Sequence, residues 1–372
     1  MKTGATTLFG IETPIFAFSH CRDVVVEASR AGGLGVLGAT SCTLQELKIS
    51  LDWIDARIGG KPYGVDVLMP ATDRGQSPPL DMTVLDHIPK GHIAFVDNLL
   101  ALHAIPDFPE SEKHALLKDY IENMAVTVAE AERRLEIVFE HPFVKLIVSA
   151  LGPAPEHIVQ RAHAQGVKVG GLVGSVKHAR RHVEAGADIL IAAGYEAGGH
   201  TGEVTTMVLV PEIADAVAPV PVLAAGGIGR GRQVAAAMAL GAQGAWCGTV
   251  WLGTIESETS PQIKAKLFAS SSADTQRTRC NSGKPARRIA TAWVKAWSAP
   301  DAPPPLPMPL QGILTHVALK RIERHGASEL LTYPAGQIAG MLTEVTTVRE
   351  VYRGMLEEFA TSVDRLGAML AD

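Results

Sequence analysis

Eight times along this chain a short apolar run closes at or near a glycine, and most are followed directly by a helical pattern. That alternation constrains the fold more than any single residue does. The runs are Thr13–Phe18, Gly33–Gly38, Tyr63–Met69, Lys145–Ala150, Val167–Val173, Ile189–Ala193, Val222–Ala225 and Gly244–Leu252. They are apolar nearly throughout, as strands are when helices cover both faces; a strand with one wet face would alternate. Helical periodicity fills Val24–Ala31, Leu44–Ile58, Glu156–Gln165, Val176–Ala185 and Gln233–Leu240, and Gly166, Gly186 and Gly241 follow the last three as helix stops. The order predicts an α/β chain folded as a closed (β/α)8 barrel, with a doubly wound open sheet as the alternative.

Two segments exceed eight plain units. Pro70–Pro142 follows the third run and holds a Pro-rich loop and a charged helix around Glu110–Glu140; Ser260–Asp372 follows the eighth. Within the latter, Ala299–Pro309 reads as a semi-rigid crossing. The division expected is a barrel over 1–259 with an insertion at 70–142. A mainly helical region, 260–372, would close over the site, its last helix returning to the barrel. Insertions after barrel strands lie on the catalytic face, which makes both segments candidate lids.

A chain of 372 residues that is 47% hydrophobic and 20% charged has enough apolar material for a large core. Its net charge of −5, without a dense Lys/Arg cluster, gives no footprint for nucleic acid or anionic lipid. No basic, apolar leader opens the sequence and no apolar stretch is long enough to span a bilayer. Cys21, Cys42, Cys247 and Cys280 lack disulfide or metal-ligand spacing, and no metal is expected. Together these features suggest reduced thiols in a cytoplasmic protein.

Barrel enzymes carry their chemistry at the C-terminal strand ends. The seventh run closes as Ala225-Gly226-Gly227-Ile228-Gly229, ahead of a helix starting near Gly231, and the eighth reaches Gly248-Thr249. Glycine-rich turns at a helix N-terminus present backbone N–H groups that suit a phosphate, and the loops after strands seven and eight are its usual place. The sixth run ends in Glu196-Ala197-Gly198-Gly199-His200-Thr201-Gly202, so His200 stands on approachable backbone, where an imidazole suits proton transfer. His178, His182 and His325 lie in charged helical contexts that predict surface placement.

Glu196–Gly202, Ala225–Gly229 and Gly248–Ser257 together resemble the nitronate monooxygenase (2-nitropropane dioxygenase) family, with flavin-dependent enoyl-ACP reductases as cousins. Gly283–Ile289 and Pro334–Gly340 resemble that family's later flavin-side segments. The resemblance implies a TIM barrel that holds FMN non-covalently. It places Gly226, Gly227, Gly248 and Thr249 at the phosphate and Ala17, Phe18 and Ser19 along the isoalloxazine. Ala197, Gly198 and Gly199 would flank the flavin, Asp66 would take a place where relatives often carry Asn, and Gln337 would touch flavin or substrate. His200 would match the family histidine that acts as base or orients the substrate. The chain departs from the family where Phe18-Ser19-His20 replaces a Pro-Met pair, and in a longer insertion; both reshape the pocket.

The implied activity is oxidation of a nitronate-like or other carbanion-forming substrate with O2. An NAD(P)H-dependent enoyl-thioester (ACP or CoA) reductase and a non-catalytic flavin-binding barrel are the alternatives. The partners expected are a small molecule, acyl or CoA-linked ones included, O2 and, as an option, a second copy of the chain.

Overall fold

In the computed structural model, which describes residues 1–40, 42–69, 81–123 and 128–370, eight parallel strands close into a barrel. They are β1 (Ile15–Ser19), β2 (Leu34–Gly38), β3 (Tyr63–Val67), β4 (Val144–Ser149), β5 (Lys168–Val173), β6 (Ile189–Ala193), β7 (Val222–Ala225) and β8 (Gly244–Cys247). Spatial order follows chain order, and β8 closes on β1 with Ala17 opposite Cys247. That closure excludes the open sheet.

Alternation along the strands sorts the side chains. Phe16, Leu34, Val36, Leu146, Val148, Ile191 and Leu223 share one buried cluster in the lumen. Beneath it lies the helix Gly4–Phe9, whose Phe9 meets Phe16 edge-on at 5.6 Å. Intervening residues such as Ile15, Ala17, Tyr63 and Val65 instead join the clusters shared with the surrounding helices.

The eighth apolar run is shorter as a strand than its composition predicts. After Cys247 the chain turns into a 3-10 helix, Thr249–Gly253, and Trp251 is buried there with its indole N–H donating to Cys247 O at 2.6 Å. Trp251 stacks on Tyr352 of the last helix, Val348–Ala368, at 5.3 Å. The apolar residues after Cys247 therefore serve helix packing. Tyr352 in turn donates to Ile15 O at 3.0 Å, fixing the last helix against the barrel.

The stretch read as one charged helix is helical over Glu110–Asn123 and over Val128–Val138, and residues 124–127 between them, like the Pro-rich loop at 70–80, lie outside the described residues. The insertion also contains Lys90–Leu102, which builds a common core with the C-terminal region: Val96, Leu99 and Leu100 pack with Trp293, Trp297 and Ile322. Arg321, on the helix Leu310–His325, donates to the carbonyls of Ile105 and Pro106. The two candidate lids thus form one module. Ala299–Pro309 carries neither helix nor strand.

His182 corrects an expectation. It is 3% exposed, filling the space over Gly171, and burial lowers its pKa to about 4. All four cysteines are free thiols, and among the described residues no helix is long and apolar enough to cross a membrane.

Candidate active site

The C-terminal end of β7 supplies an anion cradle. Gly226 and Gly227 take left-handed φ values of 97° and 70°, which disfavour any residue with a Cβ. Among the described residues, the amides of Gly227 and Ile228 have no protein acceptor. The next two amides, of Gly229 and Arg230, are taken by Gln233 Oε1 at 2.8 and 3.0 Å, capping the helix Gly231–Ala239. The free donors therefore sit just ahead of a helix N-terminus, which favours an anion. From β8, a Cβ on Gly248 would lie 3.8 Å from Phe18 Cδ1, and Thr249 Oγ1 accepts from Gly336 N at 2.8 Å.

Aromatic rings line the mouth beside this cradle. Phe18 stacks on Trp246 at 5.7 Å, and His20 meets Phe18 edge-on at 5.3 Å. His20 is exposed, with Nδ1 2.9 Å from Gly38 O. Ser19 Oγ accepts from Cys21 N at 3.0 Å. Ala17 points outward into the helix layer, so only its backbone can run past a ligand. Asp66 alternates with the outward Val65 and Val67 and faces the lumen, opposite Gly38 in register. It is 5% exposed, its Oδ1 has no partner, and burial pushes its pKa up to about 7.

The loop after β6 joins barrel to lid. Glu196 accepts from Thr206 N and Oγ1 at 2.9 and 2.8 Å, and Ala197 N donates to Gly194 O at 3.1 Å. Gly226 packs against Ala197, and Gln337 N donates to Glu196 O at 2.9 Å. The Gln337 side-chain amide has no hydrogen bond among the described residues, so it caps nothing. Gly199 and His200, expected in a loop, form a short strand that pairs with Ala286–Ile289, itself paired with Thr275–Thr278. His200 Nε2 lies 3.0 Å from Ser282 Oγ. The residue keeps solvent contact at the mouth. The protein around its ring nevertheless desolvates the cation, Lys284 and Arg288 add repulsion, and its pKa is held below the ordinary histidine value.

The segments singled out in the sequence, three barrel loops and Pro334–Gly340, therefore meet at one end of the barrel. The profile of the family described as nitronate monooxygenase matches residues 5–358. The chain belongs to the nitronate monooxygenase family. It is 47% identical to a putative monooxygenase, Rv1533, of Mycobacterium tuberculosis, with both chains fully covered. Among solved structures it resembles nitroalkane oxidase from Streptomyces ansochromogenes, with TM-score 0.79 and 25% identity over 97% of this chain and 99% of that one. FabK from Thermotoga maritima gives TM-score 0.74 and 26% identity over 99% of each chain. Membership makes this chain an oxidoreductase of a flavin-dependent enzyme family.

Sequence reading passed over Ser282, and it included Arg287 and Arg288 in the Gly283–Ile289 segment without giving either a role of its own. Arg287 is 2% exposed, donates to Tyr195 O at 3.1 Å and stacks on the Tyr195 ring at 4.5 Å. The signals available were the resemblance of Gly283–Ile289 and its two consecutive arginines.

Proposed function

We propose that this chain is an FMN-dependent oxidoreductase that oxidises a nitronate or another carbanion-forming substrate with O2. The reading is carried by one observation: the unengaged amides of Gly227 and Ile228 in a turn of left-handed glycines, at the barrel end where His200 is held. Gly226, Gly227, Gly248 and Thr249 would hold a single phosphate. The aromatic edge at Phe18, with Ser19 and the Ala17 backbone, would run beside the ring system. Ala197, Gly198 and Gly199 would border it, and Asp66 and Gln337 would offer their unpartnered polar atoms. When bound, FMN supplies the electron-accepting and O2-reactive chemistry that no side chain here has.

His200 handles the proton. With Nε2 engaged by Ser282, Nδ1 is the ring nitrogen left to take or steer the substrate's α-proton. Its lowered pKa keeps the ring neutral, as a base must be, near pH 7. The module shared by the insertion and residues 260–372 would exclude water and set the pocket's size, which leaves room for acyl or CoA-linked substrates in this reading.

The likeness to FabK supports a second reading, an NAD(P)H-dependent enoyl-thioester reductase. The visible spectrum of the purified protein and the flavin released on denaturation test the cofactor. Anaerobic bleaching by a nitronate, with slow bleaching by NADH and NADPH, is the result expected. Rapid bleaching by a nicotinamide instead selects the reductase, and bleaching by neither excludes both the nitronate substrate and the reductase.

A further inference from the structure

Arg288 lies in the middle strand of the small sheet, yet among the described residues no protein group hydrogen-bonds or ion-pairs with its guanidinium. It is 7% exposed, and its Nε is buried without a partner. The neighbouring arginines are anchored: Arg287 through Nε and Nη1 to Tyr195 O and Thr275, with only its Nη2 left over, and Arg277 to Thr201 and Glu203. The difference follows from alternation, which sends Arg287 and Arg277 to one face and Arg288 to the other.

Register puts His200 on the same face as Arg288. His200 pairs with Ala286, and Arg288 is two residues further along that strand. The pair are therefore diagonal neighbours, about 7–8 Å apart. Half-buried Lys284 adds a second cation near His200, and no carboxylate balances either one among the described residues. A desolvated, unpaired guanidinium is unfavourable, and a fold retains one at low stability cost only when something anionic meets it. Its planar fork of donors matches a carboxylate or phosphate in two-point contact.

We propose that Arg288, assisted by Lys284, receives a fixed oxyanion carried by the substrate, a carboxylate or a phosphate, separate from the carbon at which His200 acts. The inference rests on the reading of His200 given above. It makes Arg288 a specificity-determining residue, and the physiological substrate an anion at a point remote from the reacting bond.

The test uses the full-length protein as purified, titrated calorimetrically with butyrate, propyl phosphate and the neutral isostere butyramide. Butyrate or propyl phosphate should bind while butyramide does not, and whichever anion binds more tightly names the oxyanion. Arg288→Met should weaken that binding at least 10-fold and melt at or above the wild-type temperature, because it removes an unpaired buried charge. Arg288→Lys should fall between the two. Equal binding of butyramide, no anion binding, or anion binding unchanged in Arg288→Met overturns the proposal. A lower melting temperature with unchanged anion binding does so too, by assigning Arg288 to the scaffold. A chain that binds butyrate through Arg288 but whose flavin is bleached rapidly by NADH or NADPH refutes the oxidase reading alone; a nitronate oxidase without anion binding refutes this one alone.

Discussion

Gly198 and Gly336 cross so closely that neither has room for a side chain. A Cβ on Gly198 would stand 2.7 Å from the nitrogen of Gly336, and one on Gly336 would stand 2.7 Å from Glu196 O and 3.0 Å from Gly198 N. This contact joins the loop after β6 to the chain's later part, and Thr249 locks it from β8 by accepting from Gly336 N. Gly336→Ala should therefore destabilise the protein by about 1–3 kcal/mol, the usual penalty for overpacking. Thermal unfolding and flavin retention after gel filtration would measure it. Wild-type values for both would show that the crossing is looser than its distances say.

Gly227→Val separates cofactor binding from folding. Space is not the obstacle, since the nearest atom to a Cβ there is Glu196 Cβ at 3.5 Å. The obstacle is the φ of 70°, which a β-branched residue disfavours strongly. The turn should move and its amides lose their aim. We expect flavin content to collapse while circular dichroism still reports the folded barrel. Full occupancy would put the phosphate somewhere else.

Asp66 gives stability an inverted carboxylate profile. Its folded pKa is raised from 3.8 to about 7 by burial. The folded state therefore binds more protons than the unfolded state between those values, and stability falls as pH rises through that window. Below it both states are protonated and nothing is lost; above it the loss is complete, at roughly 4 kcal/mol. Asp66→Asn should be more stable than the parent at pH 8, with the difference vanishing near pH 4. Urea unfolding of the flavin-free protein at both pH values checks the sign. A parent protein more stable than the variant at pH 8 would mean that the carboxylate has a partner.

His200→Ala should keep FMN and lose turnover by about 10²-fold or more, as expected for a removed acid–base group. The backbone at Gly198 and Gly199, held by Gly336 and by pairing with Arg287, does not depend on the imidazole. His200→Asn distinguishes the roles, because an amide can orient a substrate but not take its proton near neutral pH. Equal damage in both variants indicates a base, and a mild asparagine phenotype an orienting group. Because the wild-type pKa lies below 6.5, the acid limb of kcat/KM should also fall below pH 6.5. An acid limb above that value, or wild-type rates in both variants, would remove His200 from the chemistry.

The barrel was legible in the chain because its strands are covered on both faces: a run such as Ile189–Ala193 must be apolar at every position, whatever lies next to it. The glycine turns at Gly226 and Gly227 were legible for a similarly local reason, since their φ values admit little else. Trp251 misled because burial under a helix and burial in a strand demand the same residue types. His182 misled because a charged helical neighbourhood says nothing about which face meets the barrel. What the sequence alone determined is thus the set of βα units, their order and the left-handed glycine turns after β7, all written in the preferences of neighbouring residues. Only the tertiary structure decided the rest: that the insertion and the C-terminal region share one core around Trp293, that His200 pairs with Ala286, and that Arg288 is left without a partner. Those facts depend on contacts between residues up to about two hundred positions apart, and no local preference encodes such a contact.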